Sequence, residues 1–350
     1  MRDQLQRGFV LITAGVWAAA MLGMLGLAVD VGRLYIVKSE LQTFADSAAL
    51  AAALELDGSA EGLERARNAV ATNANRWNFA TAVINGAQTE FSTSPTGPWQ
   101  SNPIPATSHR FARVSVSASV RLLFLPVVGA GSSGTVRAVA AAGQVNKTSF
   151  SEGTFPFSPF AHDASDANFG FVPGYHYTLR WAANPKLNVN VCPGDNAPEW
   201  IAKGEDGSSS ERGYIEETSS AVIRAAIIAD YQTKPLSIGL ALTMTGGAKQ
   251  TQREALQERV RQDSDSVSAT YAEYAAGRRG NGRRLVLVPI NDGPPNNILV
   301  GFALFFLLRE EEYVKGGNHP FCAEYVGPYV QGSRTKGAGQ AGAYVVRLVA

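Results

Sequence analysis

The longest uninterrupted apolar run lies near the start of the chain. Residues 9–29 contain no charged side chain in 21 positions. A helix rises about 1.5 Å per residue, so this run covers about 30 Å, the thickness of the hydrocarbon core of a bilayer. A buried helix of a soluble protein rarely stays apolar on every face over such a length. We therefore expect one transmembrane helix, Phe9–Val29, after a short N-terminus of residues 1–8.

A cleaved signal peptide is the alternative interpretation of the same run. Arg2 and Arg7 form a positive N-terminal region, and Gly26-Leu27-Ala28 resembles a small-x-small cleavage site. The apolar run is longer than the usual 7 to 15 residues of a signal peptide, which favours a retained anchor. An exported binding module or adhesin with a cleaved leader stays open as a second hypothesis.

The charges that flank the span do not decide its orientation. Arg2 and Arg7 on one side are matched by Arg33 and Lys38 on the other, so the positive-inside rule favours neither arrangement. A short basic tail before an apolar run acts as a signal anchor, which places the N-terminus in the cytoplasm. We expect a single-pass protein of the bacterial inner membrane with its body in the periplasm.

Small residues recur at a spacing of four within the span. Gly15, Ala19 and Gly23 fall on one ridge of the helix and would allow a second membrane helix to approach closely. Ordinary use of small residues in an Ala-rich span explains the same pattern. Association through this ridge is one of the partner interactions that we expect.

Helical periodicity continues beyond the span. Residues 33–56 contain no Pro or Gly, and their apolar positions alternate at spacings of three and four: Leu34, Val37, Leu41, Phe44, Ala48 and Ala51. This seam is too short for an independent coiled coil, so we expect it to pack on its own domain or on a partner. A second helix is expected at 60–77.

A period of two replaces the helical pattern after residue 88. The stretches 113–122 and 135–145 alternate apolar and polar residues, and a Pro-rich loop at 92–107 separates them from an earlier strand near 89–91. Helices with a small antiparallel sheet predict an α+β domain over 30–147. The Ser/Gly/Pro-rich stretch 146–159 reads as a linker.

The remainder, 148–350, predicts a second, mostly antiparallel β-rich domain. Strands are expected at 284–290, 298–308, 323–330 and 343–349, after a helix at 250–276. Ile298–Leu308 has only 11 apolar residues between polar flanks, which is too short for a second span. We expect it to be a buried central strand.

Charge and cysteine content limit the function classes. With 31 basic and 30 acidic residues, the chain offers no electrostatic case for binding nucleic acid. Cys192 and Cys322 are the only cysteines, and they lack metal-ligand spacing. In an oxidising compartment they are disulfide candidates, and two buried free thiols are the alternative.

The sequence contains no strong catalytic or cofactor motif. There is no G-x-S-x-G, H-E-x-x-H or P-loop, so we expect no enzyme and no cofactor. Asp206-Gly-Ser-Ser-Ser fits a D-x-S-x-S metal loop but lacks the preceding hydrophobic strand, and His162, Asp163, Asp166 and His176 lie among turn residues. We expect no metal site. The basic loop 278–284 predicts either a solvated hairpin end or a surface for anionic partners.

The N-terminal region resembles the TadE/TadG-like group of Tad (Flp) pilus-assembly proteins. The resemblance rests on Arg7-Gly8 before the span, LAVDVGRLY at 27–35 and LQTFADSAALAAA at 41–53. It implies that Asp30, Gly32, Arg33, Leu41, Gln42 and Asp46 are signature positions. It also implies a non-catalytic role in pilus assembly with other envelope proteins as partners.

Three of these positions carry physical expectations, and one departure sets the subgroup. Asp30 is expected to be solvated just beyond the span, Gly32 to mark a bend or a close contact, and Asp46 to cap the seam, pair with a basic group or stay solvated. Pilins and pseudopilins of this system carry Glu at the fifth residue after the Gly-Phe junction, whereas this chain has Thr13. We therefore expect no prepilin processing and a TadG-like, membrane-anchored role.

Overall fold

The computed structural model describes residues 2–73, 82–128, 131–181, 192–195, 211–215, 219–246, 249, 251–278, 280–316 and 319–349. Within these ranges the helices are α1 Arg2–Leu54, α2 Ala60–Thr72, α3 Ser220–Ala229, α4 Gln252–Arg261 and α5 Tyr271–Gly277. The strands are β1 Ala82–Ser92, β2 Phe111–Arg121, β3 Ser133–Asn146, β4 Ser149–Phe150, β5 His176–Arg180, β6 Glu211–Ile215, β7 Leu236–Ser237, β8 Met244–Gly246, β9 Leu285–Asn291, β10 Leu299–Leu307, β11 Phe321–Gly327, β12 Tyr329–Val330 and β13 Ala343–Val349. The predicted α+β class is confirmed.

Helix α1 joins the apolar run and the seam in one element of 53 residues, about 80 Å long. Most apolar side chains between residues 10 and 31 are exposed, whereas the seam is buried against the sheet of β1–β3. Val37, Leu41, Ala45 and Ala48 have no accessible surface. The seam therefore packs on its own domain, which was one of the two arrangements expected from its length.

The first sheet has five strands in the order β1-β2-β3-β13-β12. Strands β1, β2, β3 and β13 pair antiparallel, and β12 pairs parallel to β13. One face carries the alternating apolar residues of β2, including Val114, Val116 and Val120, and packs on α1. The pattern that predicted β2 and β3 is thus explained by a sheet with one face on a helix.

Strand β13 returns to this first sheet from the far end of the sequence. Tyr344 pairs with Asn146 and Val349 with Ala141, so β13 extends the edge of β3. The sequence placed residues 343–349 with the second β-rich domain, and the pairing corrects that placement. A strand's own pattern does not specify its partner, which is a non-local choice. The division near residue 147 stays a prediction.

A second sheet, in the order β5-β11-β10-β9, forms the core of the C-terminal part. All its pairs are antiparallel, and β10 lies between β9 and β11. Eight of the nine residues of β10 are buried, since both faces of the sheet are covered. The prediction of a buried central strand at 298–308 is confirmed.

The expected helix at 250–276 is wrong, because α4 and α5 are separate helices. Between them Asp263 Oδ1 accepts the Asp265 N–H at 3.0 Å, and Asp265 Oδ1 accepts the Ser268 N–H at 3.0 Å. Such Asx turns compete with helical bonding. Thr270 then caps α5, because its side chain accepts the Glu273 N–H.

Two arginines of the basic loop 278–284 bind groups of the protein itself. Arg284 is fully buried, where its Nε donates to the Leu307 carbonyl at 2.9 Å, and Arg283 Nη1 binds Asp230 Oδ2 at 2.9 Å. These two guanidiniums are therefore not presented to an anionic partner, which corrects that part of the expectation. Arg278 is exposed.

Candidate functional site: the junction of helix α1 with the sheet

Strand β3 runs alongside α1 in the same direction, so successive residues of α1 contact successive residues of β3. A Cβ added at Gly134 would lie 3.1 Å from Leu34 Cδ2. Further along, Lys38 Nζ donates to the Arg137 carbonyl at 2.5 Å and Gln42 Nε2 to the Val139 carbonyl at 3.1 Å. The β2–β3 connection therefore lies at the end of the sheet nearest the apolar half of α1.

Asp30 is the centre of this end of the junction. Its side chain has no accessible surface. Its Oδ2 accepts the N–H groups of Phe124 and Leu125, both at 2.9 Å, and its Oδ1 accepts that of Leu123 at 2.9 Å. A buried carboxylate is tolerated only with such partners. Asp30 is therefore a buried anchor for a loop, which corrects the expectation that it is solvated.

The local sequence of the β2–β3 connection explains why its amides are available. After β2 ends at Arg121, the chain enters Leu122-Leu-Phe-Leu-Pro and a 3-10 turn at Leu125–Val128. The N–H groups at the start of this turn have no carbonyl partner within it, as at any helix start. Successive backbone N–H groups that point one way form an anion-binding concavity, and Asp30 occupies it.

One turn before Asp30, Gly26 lets the loop come close to the helix. A Cβ at Gly26 would lie 2.7 Å from Phe124 Cβ, which is too short for any side chain. The sequence pattern at Gly26 predicts only a cleavage site and not this contact. The signal that would have found this contact is the apolar run Leu122–Val128, which is unusual for a hairpin connection.

Gly32 and Arg33 have different surroundings from those of Asp30. Gly32 lies within the continuous helix, and a Cβ added there would meet no atom within 4 Å among the described residues, so the expected close contact is absent. Arg33 is partly buried and interacts electrostatically with Asp30. The guanidinium thus partly offsets the carboxylate charge.

The other signature residues lie further along α1. Leu41 is fully buried in the seam. Gln42 Nε2 donates to Asp46 Oδ1 at 2.8 Å as well as to the Val139 carbonyl, so Asp46 orients an amide that binds β3. Gly15 and Ala19 are exposed and Gly23 is partly exposed. The structure contains no second membrane helix against that ridge among the residues it describes, and the packing face stays a prediction.

The far end of the junction is held by Gln144, a residue that the sequence did not single out. Its buried side chain donates to the carbonyls of Ala53 at 3.0 Å and Leu56 at 2.7 Å, and it accepts the Ala338 N–H at 3.0 Å. Ser333 Oγ donates to the Leu54 carbonyl at 3.1 Å. The last carbonyls of α1, which a helix leaves unpaired, are thus bound by β3 and by the segment 333–338.

Replacing Gln144 with leucine is expected to lower the free energy of unfolding by about 3 kcal/mol. Two buried carbonyls and one buried N–H would lose their partner at nearly constant side-chain volume. Thermal or denaturant unfolding of the full-length protein in detergent measures the change. Gln42→Leu is the matched control, because its bonds are partly exposed, and we expect less than about 1 kcal/mol there. Equal losses in the two variants would contradict this account of Gln144.

Helix α5 also contacts the segment 333–338. The Lys336 N–H donates to Tyr271 Oη at 2.8 Å, and Glu324 Oε2 accepts the Tyr271 N–H at 2.7 Å. Burial raises the pKa of Tyr271 to about 12, so the phenol stays neutral at physiological pH. The contact therefore joins helix α5 to the segment that binds the end of α1 through a phenol that does not titrate near neutrality.

The two cysteines form a disulfide bond between β11 and the segment 192–195. Cys192 and Cys322 have a Cα–Cα distance of 5.8 Å, and the Cys192 N–H donates to Thr178 Oγ1 at 2.9 Å. Thr178 is also the β5 partner of Cys322 in the ladder. The disulfide thus attaches a segment that lacks regular structure to β11, and the hydrogen bond to Thr178 attaches it to β5.

The metal candidates form no cation site among the described residues. His162 Nε2 lies 3.2 Å from Asp195 Oδ1, while Asp163 and Asp166 accept N–H groups of their own turns, from Ser165 and Asn168. In the part of the chain that the structure describes, no group of three His, Cys, Asp or Glu residues is placed to hold a metal ion. The D-x-S-x-S loop at Asp206 lies outside that part.

The junction coincides with a stretch that is similar to a known family. Residues 8–55 match the Tad family model, "Putative Flp pilus-assembly TadE/G-like". The resemblance noted in the sequence is thereby confirmed. No curated protein and no solved structure matches the chain. The Tad match ends one residue after α1, so the family segment covers both the apolar run and the seam of this helix.

The match supports a role in pilus assembly and an envelope protein with one candidate membrane helix. Within the described residues, the single helix long and apolar enough to cross a membrane is the one that carries the match. Asp30 and Gln144 bind the two ends of its seam to the sheet. The junction therefore fixes an apolar helix to a folded body.

Proposed function

We propose that this protein is a non-catalytic structural component of a Tad/Flp-type pilus apparatus, of the TadG-like kind. Helix α1 anchors it in the inner membrane as a single pass, and its body contacts other pilus-assembly proteins in the periplasm. The observation that carries the proposal is the Tad match over residues 8–55. That segment is also the helix whose first half is exposed and apolar and whose second half is buried in the body.

The contacts around Asp30 favour a retained anchor over a cleaved leader. Cleavage after Ala28 would remove Gly26, against which Phe124 packs, and would leave a new charged amino group on Val29, the residue next to the buried Asp30 carboxylate. A helix that begins at that point would also lack the turn before Asp30, which contacts the loop. The Cys192–Cys322 disulfide favours an oxidising compartment for the body, which agrees with a periplasmic location.

Retention of the span is tested by mass spectrometry of the protein extracted from membranes. We expect an intact N-terminus and resistance to extraction at alkaline pH. A mature chain that begins near Val29 would favour the exported binding module instead.

The assembly role is tested by photo-cross-linking in living cells. A photoreactive amino acid replaces Val267, which is 74% exposed on the C-terminal part. We expect it to capture other components of the pilus apparatus, and the same variant in cells that lack the remaining pilus genes is the control. Capture of only unrelated proteins in cells that assemble pili would contradict the assembly role.

A further inference from the structure

The β2–β3 connection exposes apolar side chains where a hairpin loop normally presents polar ones. Residues Leu122–Val128 read LLFLPVV, without one polar side chain in seven positions. Leu123 is 51% exposed and Phe124 is 37% exposed. Loops that face water carry mainly Gly, Asn, Asp, Ser and Pro, because these residues suit turns and solvent. This loop therefore has the composition of a surface that water does not cover.

The loop lies beside the apolar part of α1 rather than beyond it. Phe124 packs on Gly26, and Gly26 precedes Asp30 by one helical turn, about 6 Å along the axis. Leu25 and Leu27 of α1, on either side of Gly26, are each 58% exposed. The exposed side chains of the loop and of the helix thus form one apolar surface at one level.

Three backbone N–H groups at the start of the loop are satisfied in a way that suits a medium without water. The N–H groups of Leu123, Phe124 and Leu125 all bind the Asp30 carboxylate. Unpaired amides, and still more an unpaired carboxylate, are strongly unfavourable in hydrocarbon, where no water can bind them. Here each satisfies the other. Pro126 supplies no N–H that would need a partner.

We propose that the β2–β3 loop is inserted in the bilayer that α1 crosses, and that lipid acyl chains cover Leu123 and Phe124. The proposal rests on the proposed membrane anchoring of α1. Acyl chains are the occupant because the helix surface at the same level must be covered by them, and the loop continues that surface. The loop thus gives the body a second point of attachment, which limits rotation and tilting of the body about the single helix.

Basic residues mark the water side of the inserted loop. Arg121 immediately precedes it and is exposed, and Arg33 lies nearly one turn beyond Asp30 on α1. The exposed Arg121 side chain, at the end of an apolar segment, is placed to extend toward lipid phosphates, whereas Arg33 is partly buried and interacts with Asp30. The change from apolar to basic residues therefore occurs at the same level on the loop and on the helix.

Fluorescence quenching by spin-labelled lipids tests the insertion. The full-length, disulfide-bonded protein carries one additional cysteine, Leu123→Cys, labelled with an environment-sensitive fluorophore and reconstituted in phosphatidylcholine/phosphatidylglycerol liposomes. Ile104→Cys is the matched control, because Ile104 is 93% exposed in the β1–β2 loop. That loop lies at the other end of β2, about 33 Å away. Val16→Cys, in the apolar half of α1, reports on the anchor.

We expect the label at 123 to be blue-shifted and to be quenched more by spin labels near the head group than by labels near the chain end. The label at 104 is expected to show neither effect. A label at 123 that is no more quenched than the one at 104, while the label at 16 is quenched, overturns the insertion and leaves the anchor intact. A blue shift of the label at 123 without quenching would mean that a second copy of the protein covers this residue instead of lipid. This result also overturns the insertion. Absence of quenching at both 16 and 123 contradicts the proposed anchoring itself.

Discussion

Replacing Asp30 with asparagine is expected to lower the free energy of unfolding of the full-length protein by about 4 kcal/mol, since hydrogen bonds to a charged acceptor are worth roughly 1.5 to 3 kcal/mol each. Three N–H groups share this carboxylate, and an amide of the same shape replaces one of its two acceptor oxygens with an NH2 donor group. At least one buried N–H would then face another donor. Denaturant unfolding in detergent micelles measures the loss.

A local measurement distinguishes this mechanism from general damage. Hydrogen exchange at the amides of Leu123, Phe124 and Leu125 is expected to accelerate in Asp30→Asn far more than exchange in β10. Asp46→Asn is the control, because Asp46 is partly exposed and accepts one bond from Gln42, and less than about 1 kcal/mol is expected there. Unchanged exchange at 123–125 would show that Asp30 does not hold the loop.

Removing the disulfide by the double substitution Cys192→Ser and Cys322→Ser is expected to cost about 4 kcal/mol, because the bond closes a loop between residues 130 positions apart. In the chain-entropy account, the cross-link restricts the unfolded ensemble and stabilises the folded state by comparison. The double variant avoids the free thiol that a single substitution leaves. Denaturant unfolding under non-reducing conditions measures the difference.

Reduction of the unmodified protein provides the control for this pair. The reduced wild-type protein is expected to unfold at the same denaturant concentration as the double variant, since both lack the same constraint. Stability in the double variant equal to that of the oxidised wild-type protein would mean that the cross-link contributes nothing. Loss confined to the second sheet, where Cys322 pairs with Thr178, would locate its effect.

Local periodicity was sufficient to predict the helices and strands that pack against one surface. The alternation of β2 and β3, the apolar run of β10 and most of the α1 seam bury the side chains that their patterns indicate, while Leu34 and Ala51 of the seam are only partly buried. These patterns are readable because burial of apolar surface selects positions at the repeat of the element itself. The prediction of one helix over 250–276 was wrong, because Asp263 and Asp265 form turns within a segment whose apolar residues have helical spacing.

The sequence by itself determined that an apolar helix continues into a helical seam, that strands follow, and that residues 7–8, 27–35 and 41–53 resemble the Tad proteins. Only the tertiary structure decided what Asp30 does, because its partners lie more than 90 positions away, in the loop that connects β2 and β3. The same holds for β13, which joins β3 across nearly 200 residues. Side-chain patterns record whether a position is buried, whereas hydrogen-bond partners are set by which distant segments the fold brings together.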